Sequence, residues 1–311
     1  MVGYGYGKVI LFGEHFVVYN LLGIAGGIDN KTVAVAEASN EPGLHVVDNR
    51  PAAPGYKEKK AEHFKESLEY IKKAMPQVDW ATKGVKITLG GDLVAASGVG
   101  ASAASCAAIA RAVDELFGLG LDDDAINDIA YEGEKGYHGN PSGLDNTCST
   151  YGTLITFRRD PAGNQISKLE LDEKVEMVMA NTGVAADTKA VVAGVRERKD
   201  REPEKYEQVF EDYESVVEEA LGALKAADWK RVGELMDRNQ ELLRAIEVSH
   251  PKLEELIQTA KSAGAYGAKI TGGGAGGYMV ALTPGKELQE KVASALKDKV
   301  DIVLKVSVGG K

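Results

Sequence analysis

The chain has 311 residues, 44% apolar and 27% charged, the balance of a folded globular protein long enough for two cores. A formal net charge of −10 excludes the basic footprint of a bulk nucleic-acid binder, and no apolar run approaches the length of a membrane span. No signal-peptide pattern opens the sequence and its two cysteines, Cys106 and Cys148, cannot build a disulfide framework, so a reducing, cytoplasmic setting is expected.

Val9-Ile10-Leu11-Phe12 reads as a buried strand, entered through Gly7-Lys8 and left through Gly13-Glu14-His15. Further strands are expected at 32–36 and 44–47, then a loop over 48–55 marked by Pro51, Pro54 and Gly55. A helix is expected over 57–75, an alternating strand at 85–89 and a glycine-rich turn at 97–104. An alanine-rich helix over 101–116 and a helix over 122–134 follow, the second opening on Asp122-Asp123-Asp124 as the helix dipole favours. Strands at 154–157 and 175–179 flank the turn Arg159-Asp160-Pro161-Ala162-Gly163-Asn164, which suggests domains of residues 1–165 and 166–311. Beyond it, Tyr206, Val209, Phe210, Tyr213, Val216, Val217, Ala220, Leu221 and Leu224 follow helical spacing. Asp228 can cap the next helix, and Ser249-His250-Pro251 opens a third. A strand at 278–282, a helix at 286–297 and a closing strand at 302–306 complete two units in which helices and strands interleave, an α+β or α/β arrangement.

The five histidines are scattered without metal-ligand spacing. The segment 134–146 sets two carboxylates, Glu134 and Asp145, on either side of Asn140-Pro141-Ser142-Gly143, whose residue types fit a type I turn. One such carboxylate can hold a cation while the other acts on a substrate proton; taken alone, the segment favours a surface loop between two elements. The turn Ser97-Gly98-Val99-Gly100-Ala101-Ser102-Ala103-Ala104 places glycines before a helix N-terminus, an arrangement suited to a phosphate, with Ser102 in reach of a metal ion or phosphate oxygen. It is no Walker loop, because Gly7-Lys8 is followed by Val9 and no other Gly-Lys precedes Ser or Thr. Gly98-x-Gly100-x-x-Ala103 matches the looser dinucleotide fingerprint, yet a second helix follows where that fold needs a strand. Gly272, Gly273, Gly274, Gly276 and Gly277 form a second glycine-rich loop, expected to press against a ligand or another backbone. Lys8 either snorkels outward from the strand edge or points into a cleft, where it would stabilise developing charge.

Together these residues resemble the GHMP kinases, the family named for galacto-, homoserine, mevalonate and phosphomevalonate kinases. The resemblance rests on Gly7 to His15, Gly98 to Ala104, Glu134 to Asn146 and Lys269 to Gly277, in that order, and spans essentially the whole chain. Within the family, His138-Gly139-Asn140-Pro141-Ser142-Gly143-Leu144-Asp145-Asn146 is most similar to the members that act on mevalonate. The resemblance implies a two-domain fold, an N-terminal α/β domain of ribosomal-protein-S5-like topology and a C-terminal ferredoxin-like domain, with the last strand packing back on the N-terminal domain. It implies ATP with Mg2+, and transfer of the γ-phosphoryl group to the 5-hydroxyl of mevalonate. By the same resemblance Asp145 matches the catalytic base and Lys8 its partner; Glu134 and Ser102 match the magnesium ligands. Gly98, Val99, Gly100, Ala101, Ser102 and Ala103 match the phosphate loop, with Asn49 near the adenine. Glu14, His15, Thr182, Gly183, Thr188 and Gly273 match the acceptor side. A homodimer is compatible with it. The chain departs from the family where Gly5-Tyr6-Gly7-Lys8 replaces Ala-Pro-Gly-Lys, and where Val94, Ala96 and Ala101 stand in the usual Pro, Gly and Ser places. Another small alcohol or phosphomevalonate as acceptor, or a non-catalytic ligand-sensing homologue, are the alternatives.

Overall fold

The computed structural model describes residues 1–96, 98–160 and 163–310. Ser97 of the first glycine-rich turn and Pro161 and Ala162 of the expected 159–164 turn lie outside the described residues. The chain forms two compact units, Met1–Lys8 with Gly27–Gly152, and Val9–Gly26 with Thr153–Lys311. The expected division at 165 is a single cut, whereas these units are discontinuous: strands β1 (Val2–Phe12) and β2 (Gly23–Ser39) each run through both.

In the first unit β2 pairs antiparallel with β4 (Gly84–Gly91), and β4 pairs parallel with β3 (Gly43–Asp48). Helices α1 (Tyr56–Ala74), α2 (Ala101–Phe117), α3 (Asp123–His138) and α4 (Leu144–Tyr151) complete it. Ala34, Ile87 and Leu89 of the sheet share a core with Ile71, Ile109, Val113 and Ile126 of the helices. The strand β1 begins at Val2, seven residues earlier than its apolar run. Its Gly3 and Gly5 explain the omission: a Cβ on either would lie 2.1 Å from the carbonyl oxygen of Ala108 or Ala104. Alternating glycines here mark a strand laid directly on the backbone of α2, which is alanine-rich for the same reason. Asp122 caps α3 by accepting from Ala125 N at 2.9 Å.

In the second unit, residues Gly23 to Gly26 of β2 pair with β5 (Leu154–Arg158), which pairs with β6 (Gln165–Leu169). A separate antiparallel sheet has the order β10-β7-β9-β8, built from β7 (Lys174–Asn181), β8 (Gly267–Thr271), β9 (Tyr278–Leu282) and β10 (Val303–Gly309). Helices α5 (Thr188–Arg201), α6 (Pro203–Lys225), α7 (Trp229–Ala245) and α8 (Pro251–Ser262) lie between β7 and β8 in the chain; α9 (Lys286–Lys297) lies between β9 and β10. The first and third of these strands in the chain, β7 and β9, are central, and helices link β7 to β8 and β9 to β10, which is the ferredoxin-like arrangement. The last strand pairs antiparallel with β7 inside the second unit, and its alternating Leu304, Val306 and Val308 complete this sheet's buried face.

Helix α7 covers the edge strand β8 and satisfies it. Asp237 Oδ1 accepts from Ala268 N at 2.9 Å and Gln240 Oε1 from Ile270 N at 3.0 Å, so the free edge is closed to other strands. The approach depends on Gly233, where a Cβ would lie 2.5 Å from the Tyr266 carbonyl. Gly233→Ala is expected to destabilise the protein by roughly 1–3 kcal/mol, because backbone must shift to admit the methyl. Urea denaturation checks this; an unchanged midpoint contradicts the packing.

Candidate active site

The first unit gathers seven of the expected residues, Lys8, Gly98, Val99, Gly100, Ser102, Glu134 and Asp145. Lys8, 5% exposed, turns inward and its Nζ lies 3.0 Å from Asp145 Oδ1. Its backbone N–H donates to Val99 O at 2.8 Å, which pins the glycine-rich turn to β1. Gly98 and Gly100 take φ of 98° and 69°, and a Cβ on Gly100 would meet Lys8 Cβ at 3.0 Å. Helix α2 then starts without a side-chain cap, with the positive end of its dipole at this turn, an arrangement that suits an anion.

Asp145 occupies the first turn of α4, a helix where the sequence reading saw only loop. The eight residues of α4 are too few to display a 3.6-residue pattern, and seven of them are buried. No hydrogen-bonded type I turn closes over residues 140–143. Ser142 Oγ accepts from Leu144 N at 3.3 Å, and Thr147 Oγ1 donates to Gly143 O at 2.6 Å, so side chains brace the approach to α4.

Glu134 lies on the last turns of α3, 1% exposed, where the Ser102 hydroxyl donates to its carboxylate. Its Oε1 is buried without a hydrogen-bond partner. Burial pushes the carboxyl up to about 8; Asp145 adds to the rise, and the Ser102 hydroxyl, Lys8 and Lys60 oppose it. His138 Nε2 stands 3.7 Å from Glu134 Oε2; burial lowers the imidazole pKa, with Asp145 opposing. Glu134, His138, Asp145 and Asn146 line a cavity of about 300 Å³ together with residues 140–143. Asn49 sits apart, exposed, its N–H bonded to Leu89 O at 2.9 Å.

The second unit gathers another set. His15 Nε2 bonds the Gly273 carbonyl at 2.8 Å, and a Cβ on Gly273 would lie 2.9 Å from Thr188 Oγ1. Burial lowers the pKa of His15, so it donates from a neutral ring. Thr188 opens helix α5, capped by Asp187. Thr182 Oγ1 donates to Gly277 O at 3.1 Å and accepts from Val184 N at 3.1 Å; Gly183 is exposed with φ of 73°. The second glycine loop is pressed on backbone: a Cβ at Gly274 would lie 2.2 Å from Val248 O, and at Gly276 2.5 Å from Val184 O. Glu14 is different from its neighbours. Its side chain is closed to solvent and ion-paired with the fully buried Lys269, which also donates to Ile270 O at 2.6 Å. It fastens the end of β1 to β8.

Family models for the GHMP kinase N-terminal domain and the GHMP kinase C-terminal region match residues 62–153 and 220–302. The mevalonate kinase of Pyrococcus furiosus is 35% identical over 309 residues, covering 93% of this chain and 90% of that protein. The chain belongs to the GHMP kinase family. The crystal structure of L. major mevalonate kinase in complex with R-mevalonate superposes with a TM-score of 0.94 at 38% identity, covering 99% of this chain and 96% of that one. The Methanococcus jannaschii mevalonate kinase gives a TM-score of 0.81 at 25% identity, over 99% and 98% of the two chains.

Sequence reading of this GHMP kinase missed Arg50, beside Asn49. Arg50 is 5% exposed, pairs with Asp48 at 2.8 Å and donates through Nη1 to the Ala101 carbonyl at 2.8 Å. It ties the end of β3 to Ala101, the first residue of α2. An arginine in a Pro-rich loop gives no periodic signal, which is why it passed unnoticed.

The raised Glu134 pKa has a thermodynamic consequence. The folded state holds this proton more tightly than the unfolded chain, so ligand-free stability falls as pH rises from the ordinary carboxyl range through about 8. Glu134→Gln removes that titration and is expected to raise the thermal midpoint of the ligand-free protein near pH 8 by roughly a few degrees. Calorimetry across pH checks this; a variant that melts at or below wild type at high pH contradicts it.

Proposed function

We propose that this GHMP kinase transfers the γ-phosphoryl group of ATP to the 5-hydroxyl of mevalonate. The observation that carries the reading is the Lys8–Asp145 ion pair, 3.0 Å apart, whose aspartate lines the same cavity as the buried, half-unbonded Glu134. Phosphoryl transfer asks a protein for positioning and charge neutralisation more than for covalent chemistry. Asp145 accepts the hydroxyl proton as the acceptor attacks, and Lys8 holds that carboxylate in place. The backbone of residues 98–103 cradles the phosphates, with Arg50 bracing the loop from behind. Asn49 stands at the nucleotide side.

Glu134 and Ser102 fit a magnesium ion. The orphaned Oε1 needs a partner that the protein does not supply, and a cation favours the charged form that burial opposes. Among the described residues no group of three or more acidic, histidine or cysteine side chains converges on one point, as expected where phosphate oxygens and water complete the coordination. When bound, the ion neutralises charge on the phosphate oxygens.

His15, Thr182, Gly183, Thr188 and Gly273 form the acceptor side, with Glu14 acting through the segment it anchors. The names of the relatives from Pyrococcus furiosus, Arabidopsis thaliana and L. major, each a mevalonate kinase matched over nearly the full chain, support the choice of acceptor.

Asp145→Asn is expected to lower turnover by roughly 10²- to 10⁴-fold, the range for losing a general base. Its affinity for ADP with magnesium should stay within about threefold, which is under 1 kcal/mol. An ADP-release assay with mevalonate, phosphomevalonate and galactose, with calorimetry for nucleotide binding, reads both. Near-normal turnover by the variant removes Asp145 from its role, and wild-type inactivity on mevalonate removes the acceptor.

A further inference from the structure

Helix α1 carries a lysine that the reaction just described leaves unused. Its inward stripe, Phe64, Ser67, Leu68 and Ile71, packs on α3. Two glycines of α3 fix the register. A Cβ on Gly133 would lie 2.9 Å from Ile71 Cγ1, and a Cβ on Gly136 would lie 2.3 Å from Ser67 N. Stepping forward along α3 therefore means stepping back along α1, so the two helices run antiparallel. The Phe64 and Tyr137 rings, 6.4 Å apart, continue the register. One more turn places the residues just before Phe64 beside the end of α3, at His138.

Lys60 lies on that stripe, four residues before Phe64 and seven before Ser67. It is half-buried. Its charge acts on both Glu134 and His138, two walls of the 300 Å³ cavity. The other half-buried lysines of α1 are paired, Lys57 with Asp48 at 3.6 Å and Lys72 with Glu69 at 2.7 Å. Among the described residues no carboxylate forms an ion pair with Lys60. Phosphate oxygens would supply an ion-pair partner that the described carboxylates do not.

We propose that Lys60 reaches from α1 over this cavity and binds a phosphate group of the nucleotide, a second ammonium beside Lys8. The proposal rests on the kinase reading above but is independent of which alcohol is the acceptor. Lys60 then couples α1, which the phosphate loop does not include, to nucleotide occupancy.

The test is calorimetric titration of the full-length protein with ADP and magnesium, for wild type, Lys60→Met and Lys60→Arg. Loss of one charge-assisted phosphate contact is expected to weaken binding about tenfold in Lys60→Met, with most affinity kept in Lys60→Arg. The acceptor KM and the ligand-free melting temperature should stay at wild-type values. Wild-type affinity in Lys60→Met overturns the proposal. So does weakened binding accompanied by a lowered melting temperature, which assigns Lys60 to packing. Wild-type protein that fails to bind ADP and magnesium sinks the kinase reading instead, so the two failures are told apart.

Discussion

Glu134 is a carboxylate closed off from water with one oxygen unbonded, and the first unit is organised around keeping it so. Such an atom costs about 1–3 kcal/mol until something binds it. The protein tolerates this because the surrounding packing fixes the residue from three sides. Gly133 and Gly136 let α3 lie against the backbone and side chains of α1, Ser102 reaches it from α2, and Asp145 faces it from α4. Any larger residue at Gly136 would push α3 off Ser67 and move Glu134 with it. The strain of an unsatisfied group is thus held by close contacts between helices, where a loop would relax.

The second unit achieves rigidity by another route. A fully buried pair, Glu14 with Lys269, joins β1 to β8, and Ile10 N donates to Thr271 Oγ1 at 3.0 Å beside it. Breaking one member of such a pair leaves an uncompensated charge, a loss of about 3–5 kcal/mol. Phe16 stacks on Tyr213 with ring centroids 3.9 Å apart, and Tyr213 donates to Leu22 O at 2.7 Å, which holds the 13–22 segment on α6. His15 is thereby carried to Gly273 on a segment anchored at both ends.

The long helices and the side chains proposed for the site were legible in the sequence because each has a local signature. Tyr206, Val209, Tyr213, Val216 and Val217 repeat at helical spacing, and all are buried. Lys8, Ser102, Glu134 and Asp145 stand out as polar residues in ordered motifs, and they converge. What stayed hidden has a non-local cause. Helix α4 is too short to show a period, and Gly3 and Gly5 read as breakers until α2 is seen against them. The last strand's partner depends on pairing between β7 and β10, which no local pattern reveals. Arg50 matters because of the carbonyl it meets, at Ala101, far along the chain.

Charge ties these features together. The whole chain carries −10, yet its ligand is a polyanion, so the local field has to oppose the global one. Lys8 is spent on Asp145, and the two together are neutral. The α2 N-terminus contributes only a partial positive charge. Glu134 would add a further negative charge, but burial keeps it largely protonated below about pH 8 in the ligand-free protein. The same desolvation that makes the residue costly as an anion therefore removes a repulsive charge from the path of an incoming phosphate. A cation bound here would favour the ionised carboxylate, and on the proposed reading it would offset that charge beside the phosphate oxygens.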